Sequence, residues 1–112
     1  MKLKEMILNY KNKKFRIKTR VCNSFEKILG LMFTQRQKAN ALLFKLKKPL
    51  AIHSFFVFFP FYAIWLNNKN KILEIKKVKP FTFHIKPKKQ FSKIIEIPIN
   101  KKYEKIIEIL QT

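Results

Sequence analysis

The sequence predicts a mainly β fold of the α+β type: a single small domain, spanning residues 1–112, with one short helix near residues 24–31. Three observations carry this. Residues 14–21, KFRIKTRV, alternate strictly, with Phe15, Ile17, Thr19 and Val21 on one side and Lys14, Arg16, Lys18 and Arg20 on the other. Period two is the signature of a half-buried strand. Residues 52–66, IHSFFVFFPFYAIWL, hold seven of the chain's sixteen aromatics and no charge, and aromatic and β-branched residues favour strands. Finally, KNKK and NNKN supply turn chemistry between apolar segments, as hairpins require. The 112 residues suit one domain, and a hydrophobic fraction of 47% supports a modest core despite a net charge of +20.

KEMILNY (4–10) is the first strand, KNKK turns the chain, and 14–21 completes a hairpin. Asn23 or Ser24 is placed to cap a helix, in which Phe25, Ile28, Leu29 and Met32 have helical spacing. Lys27 stands where a capping box would need Glu or Gln. Gly30, the chain's one glycine, marks a left-handed helix end or a close packing contact. TQRQKAN (34–40) is a polar loop, and ALLFKLKK (41–48) is a strand ending at Pro49. Pro60 has no N–H for a sheet ladder, so it divides the aromatic run into strands Ile52–Phe59 and Phe61–Leu66. With apolar residues at successive positions, both faces of this pair need cover, which places Phe55, Phe56, Phe58, Phe59, Ile64 and Trp65 in a core. KILEIKKVK (71–79) returns as a second hairpin, and its change of apolar parity between Ile75 and Val78 predicts a bulge. KPFTFHIKPKKQ (79–90) is a basic connection with a short strand around Phe81–Ile85, followed by the strand SKIIEIPI (92–99). The tail KKYEKIIEIL fits a helix through Tyr103, Ile106, Ile107 and Leu110 and also a strand through Ile107 and Ile109; periodicity leaves both open.

Pro49 to Leu66 is eighteen residues without Lys, Arg, Asp or Glu, the length of a transmembrane segment. Pro60, His53 and Ser54 inside it count against a span, as do basic flanks on both sides and its strand-favouring content. Near the start, the apolar run Met6–Leu8 is too short for a signal-peptide core. Cys22 is the single cysteine, so there is no disulfide framework, and a reducing, cytoplasmic location is expected. The chain has 23 Lys against 3 Arg, which fits an AT-rich codon bias. That bias does not explain six Glu and no Asp. An excess of this size favours contact with phosphates or anionic surfaces.

GLMF (30–33), ALLF (41–44), the aromatic run 52–66 and IEIP (95–98) form an ordered series. In these motifs the chain resembles domain-of-unknown-function family 192 (DUF 192, also called uncharacterised protein family 0127), small proteins of archaea and bacteria. The resemblance runs from about Lys14 to Pro98. There are departures. Tyr62 stands where the family places an Asp two residues after the proline, and His53-Ser54-Phe55-Phe56-Val57 replaces Trp-Met-Lys-Asn-Thr, as in the archaeal form. Asn100 takes the place of the glycine in Pro-x-Gly, an exchange tolerable at positive φ, and a later Gly-Asp is missing. The resemblance implies a curled antiparallel sheet or partly closed barrel with one short helix. It implies no activity.

No catalytic motif is found. His53 and His84, without Asp or a cysteine pair, make a poor zinc set, and no metal site is expected. A glycine-rich phosphate loop needs more than one glycine, so no cofactor is implied. Ser24, Ser54, Ser92 and Cys22 show no spacing to a histidine that announces a nucleophile. Cys22 reads as a small buried residue. The basic face is the better candidate. Lys14, Arg16, Lys18 and Arg20 project from one strand face at about 6.6 Å spacing, close to the phosphate repeat of a nucleic-acid strand. Lys86, Lys88 and Lys89 around Pro87 form a second group. Phe15 lies on the opposite strand face, which argues against base stacking there. Three readings follow: a non-enzymatic module binding nucleic acid or another polyanion, a small-ligand binder or enzyme with a pocket near His53, Ser54 and Tyr62, and a membrane-associated protein.

Overall fold

The structure, a computed structural model, describes residues 2–22, 35–46, 57–82, 85 and 90–111. Six strands form one mixed, curled sheet in the order β1-β2-β3-β6-β4-β5: β1 (Leu3–Tyr10), β2 (Lys13–Val21), β3 (Leu42–Lys45), β4 (Phe61–Leu66), β5 (Ile72–Val78) and β6 (Lys93–Pro98). The edge strands β1 and β5 approach one another, giving a half-barrel. The β2–β3 pair is parallel and all others are antiparallel, so the sheet is mixed rather than wholly antiparallel. Helix α1 (Glu104–Leu110) follows a 3-10 turn at Lys101–Tyr103; the tail is therefore the helix of its two readings. It buries Ile107 and Leu110. The helix expected near 24–31, with Ser24 and Gly30, lies outside the described residues.

The first hairpin forms as the alternation requires. Phe15, Ile17 and Thr19 are buried, while Lys14, Arg16 and Lys18 are exposed. Thr19 Oγ1 donates to the Lys4 carbonyl at 2.9 Å, so its hydroxyl is satisfied where it is fully buried. The connecting residues Lys11 (φ 50°) and Asn12 (φ 66°) occupy the left-handed region, as in a two-residue hairpin turn whose twist matches the strands. Left-handed backbone costs a residue with a Cβ about 1 kcal/mol. Asn12→Gly is accordingly expected to raise the denaturation midpoint, by about 0.5–1 kcal/mol of stability.

Two cores lie on opposite faces of the sheet. The first contains Leu42, Phe44, Phe61, Ala63, Trp65, Val78 and Ile94, with Cys22, Val57, Phe59, Ile85 and Phe91. The second contains Met6, Leu8, Phe15, Ile17, Leu43, Tyr62, Ile64, Leu66, Ile95 and Ile97, with Ile107 and Leu110 of α1. Strand β4 is buried at all six positions, contributing alternately to each core. This is why its sequence is a continuous apolar run rather than an alternation.

Several local expectations need correction. Phe58 is 61% exposed, and residues 57–60 are irregular rather than strand; Phe59, Ile64 and Trp65 are buried as expected, and 52–56 lie outside the described residues. The β5 irregularity falls at Leu73, skipped between the Trp65–Glu74 and Leu66–Ile72 pairs. Ile75 and Val78 need no bulge, because they serve different cores. Phe81 sits in a turn at φ 59°, not in a strand, and Ile85 alone makes a bridge there among the described residues. Asn100 is extended (φ −145°) rather than left-handed.

Candidate functional site

Lys14, Arg16 and Lys18 form an exposed row on β2, with Arg20 half-buried at its end. Across the hairpin, Glu5 pairs with Lys18, and its carboxylate lies 3.7 Å from the Arg16 guanidinium. Both side chains are well exposed, so this ion pair contributes little and leaves the row strongly positive. Phe15 is in the second core, off the basic face. Lys86, Lys88 and Lys89 lie outside the described residues. Among the described residues a further lysine cluster forms. Lys45 and Lys93 are directly paired across β3 and β6. Burial first, then repulsion from Lys4 and Lys45, lowers the Lys93 ammonium below the usual lysine range, and Lys93 Nζ donates to Asn70 Oδ1 at 2.5 Å. Like charges facing each other across a sheet are destabilising, and an anion would relieve them.

The basic row continues into the first core. Register places Leu3, Arg20, Leu42, Glu96, Ala63 and Lys76 in one line across all six strands, hence on one face. Glu96 is 5% exposed. Burial alone pushes its carboxyl up to about 8, so it is mostly protonated at neutral pH and able to donate as well as accept. Adjacent strands are about 4.8 Å apart, which sets Arg20 and Lys76 each two strands, or about 10 Å, from Glu96. The Lys76 ammonium turns elsewhere: it lies 3.4 Å from Glu74 Oε2 and 5.9 Å above the centre of the Trp65 ring. Trp65 is fully buried and stands edge-on to Phe91 at 6.3 Å, and among the described residues its Nε1 has no hydrogen-bond partner.

Of the proposed pocket, Tyr62 faces the second core, and His53 and Ser54 lie outside the described residues. Cys22 is buried, as expected of a small core residue. A surface groove of about 410 Å³ runs between Arg36 and α1, lined by Asn100, Lys101, Glu104 and Glu108. Its mixed charges select no ligand class, and Arg36 Nε is committed to the Ile99 carbonyl at 2.7 Å. Among the described residues, no three His, Cys, Asp or Glu side chains gather as metal ligands, and no helix is long and apolar enough to cross a membrane.

The model of a family described as "Uncharacterized ACR", DUF192, matches residues 6–108. The chain belongs to the DUF192 family. No curated protein matches it. Among solved structures, this DUF192 chain resembles a protein of unknown function from Novosphingobium aromaticivorans DSM 12444, with TM-score 0.73 and 14% identity over 93% of this chain and 78% of that one. It also resembles a protein from Sinorhizobium meliloti 1021 described as a "putative transcription regulator", with TM-score 0.72 and 14% identity over 89% and 81%. At that identity the likeness concerns the fold alone.

Sequence reasoning missed Glu96 in this DUF192 chain. In IEIP, Ile95 and Ile97 face one way and Glu96 the other, which reads as a strand with one wet face. The signal lies in a neighbour: β4 is apolar on both faces, so the strand beside it is covered on both faces as well. The Lys45–Lys93 pair was equally hidden, because nothing local announces that β3 pairs with β6.

Proposed function

We propose that this protein is a non-enzymatic module that binds a polyanion, most plausibly nucleic acid, through sequence-independent contacts to phosphate. The observation that carries this reading is the exposed row Lys14, Arg16 and Lys18 on β2. Strand geometry repeats these cations at about 6.6–6.8 Å, and the opposite strand face is anchored in a core, so the row is held rigid. The crowded Lys4, Lys45 and Lys93 add support, as does a net charge of +20. Phosphate contacts position a protein without reading sequence.

The expected result is retention on single-stranded DNA or heparin that falls steeply with salt. Replacing Lys14, Arg16 and Lys18 together by Gln should flatten the log–log salt slope by about 2–3 units. The same change at the exposed Lys77, Lys101 and Lys105 should flatten it less. Equal behaviour of the two triple variants would mean that the charge acts diffusely and that the β2 row is only the outer face of a lysine-rich strand.

A further inference from the structure

The second core, to which all six strands contribute, is apolar at one end and cationic at the other. At the first end, where β6 finishes, α1 seats Ile107 and Leu110 in it. The other end is where β1, β5 and β6 begin and β2, β3 and β4 finish, as the pairing directions require. There the next position on the core face is a lysine on three strands. Beyond Met6 on β1 comes Lys4, beyond Leu43 on β3 comes Lys45, and beyond Ile95 on β6 comes Lys93. Side chains alternate along a strand, so all three leave the sheet on the face of that core. Lys45 and Lys93 are direct cross-strand partners, which sets their Cβ atoms about 5 Å apart. Lys4 reaches the same rim from the sheet edge, close enough for its charge to act on Lys93. The carboxylates of the described residues lie elsewhere. Glu5, Glu74 and Glu96 are on the opposite face, and Glu104 and Glu108 are on α1.

The rim is also held in place. Lys93 is half-buried and donates to Asn70 Oδ1 at 2.5 Å. Asn70 adopts φ 64° in a turn organised by Asn67, whose Oδ1 accepts from the Lys69 and Lys71 N–H groups at 2.9 and 3.0 Å. An inward-facing charge can serve only to blunt a sheet edge against pairing. That accounts for Lys4 on β1, but Lys45 and Lys93 stand on interior strands.

We propose that this rim is a binding site for a phosphate monoester group, held by the ammonium groups of Lys4, Lys45 and Lys93. Ammonium groups only donate. A phosphate monoester presents three terminal oxygens and close to two negative charges in one compact group, so it supplies an acceptor for each lysine and offsets the repulsion among them. A carboxylate brings one charge and two oxygens, and an uncharged ligand offsets nothing. The diester phosphates inside a nucleic-acid strand carry one charge each and suit the open row on β2 better. The two sites are separate, because Lys14, Arg16 and Lys18 project from the other face of the sheet.

The test is a titration of the full chain with inorganic phosphate at constant ionic strength, followed through the backbone amide resonances. Saturable shifts are expected at Lys45, Asn70 and Lys93 and not at Lys14, Arg16 and Lys18, with a Kd on the order of 1 mM, within reach of a ligand of so few atoms. Replacing Lys45 and Lys93 together by Gln should weaken that binding by about tenfold or more, the loss expected for charge-assisted hydrogen bonds. If that variant does not fold, Lys45→Gln alone, at an exposed position, takes its place with an expected loss of about threefold or more. Replacing Lys14, Arg16 and Lys18 by Gln should leave phosphate affinity within about twofold, since charges beyond the Debye length are screened. Two oligonucleotides of one sequence, with a 5′-phosphate or a 5′-hydroxyl, identify the source of the group. Tighter binding of the phosphorylated strand, lost in the double variant, supports the site as one for a nucleic-acid end. Equal binding of the two strands, with inorganic phosphate still bound at the rim, supports it as one for a small phosphorylated molecule. The absence of a saturable shift up to about 20 mM phosphate, well above the expected Kd, would overturn the proposal. Shifts spread equally over the β2 row, or an unchanged affinity in the double variant, would overturn it too. None of these results alters the salt slope set by the β2 row, so the two readings fail separately.

Discussion

Raising the pH from about 5 to about 8 should lower the stability of the wild-type protein, and Glu96→Gln should remove most of that loss. The sign follows from the shift. Glu96 titrates at about 8 in the fold, against an ordinary value of 4.5, so between those values the folded state holds a proton that the unfolded state has released. Stability must then fall with rising pH across that window. Its contribution is fully present below about 4.5 and lost as pH approaches the folded value. A shift of this size corresponds to several kcal/mol, on the order of 3–5 after allowing for relaxation around a buried charge. The charged groups that share its face are Arg20, Glu74 and Lys76 and, farther along β1 and β2, Glu5, Lys14, Arg16 and Lys18. None of them offsets the burial of Glu96, whose shift has burial as its one cause. An ordinary imidazole titrates near this range, so the informative quantity is the difference between wild type and variant, read from urea midpoints at each pH. Glu96→Leu should go further and raise stability at pH 7 by about 1–3 kcal/mol, because it replaces a buried ionisable group by an apolar one of similar length. A flat difference between wild type and Glu96→Gln across the window would mean that the carboxyl reaches water.

The same residue shows where the sequence stopped being legible. Strands whose two faces differ announce themselves: the β1–β2 hairpin could be drawn residue by residue from KFRIKTRV and its basic alternates. Strand β4 was legible for the opposite reason, since a charge-free run cut by Pro60 can only be buried on both faces. Neither signal states which strands lie side by side. The parallel β2–β3 pair and the insertion of β6 between β3 and β4 are long-range choices, made by the packing of two cores rather than by any local motif. Everything in the candidate site that depends on those choices was invisible, including the line from Arg20 through Glu96 to Lys76 and the facing Lys45 and Lys93. The basic row of β2 was visible because it lies within one strand. The tail was ambiguous because EKIIEIL satisfies both periods, and what decides for the helix is a cap that no hydrophobic pattern encodes.

That cap is Asn100, and Asn100→Ala should cost roughly 2–4 kcal/mol, lowering the melting temperature by about 8–15 °C for a domain of this size. The side chain does three things at once. Its Oδ1 accepts from the Lys102 N–H at 3.1 Å, closing the 3-10 turn that leads into α1. Its Nδ2 donates to the Arg36 carbonyl at 2.8 Å and to the Ala39 carbonyl at 3.0 Å. The side chain therefore ties the start of the C-terminal helix to the segment that enters β3. Two further bonds reinforce the join: the Ala41 N–H donates to Tyr103 Oη at 2.7 Å, and Lys102 Nζ donates to Asn40 Oδ1 at 2.9 Å. Tyr103 is half-buried, and burial, only partly countered by the bond from Ala41, raises its hydroxyl above the usual tyrosine range. Asn100 itself is 7% exposed, so truncation strands the Ala39 carbonyl away from water and leaves the part-buried Arg36 carbonyl and Lys102 amide without this partner, each bond contributing about 1 kcal/mol. The backbone there is extended, a conformation open to any residue, so the loss comes from the side chain and not from strain. Asn100→Ser separates the terms. Serine is a good N-cap but too short to reach both carbonyls, so it should recover about 1 kcal/mol relative to alanine and remain well below wild type. If Asn100→Ala instead melts within about 2 °C of wild type, a change worth less than 1 kcal/mol, the helix is held by Ile107 and Leu110 in the second core alone, and the polar join is incidental to the fold.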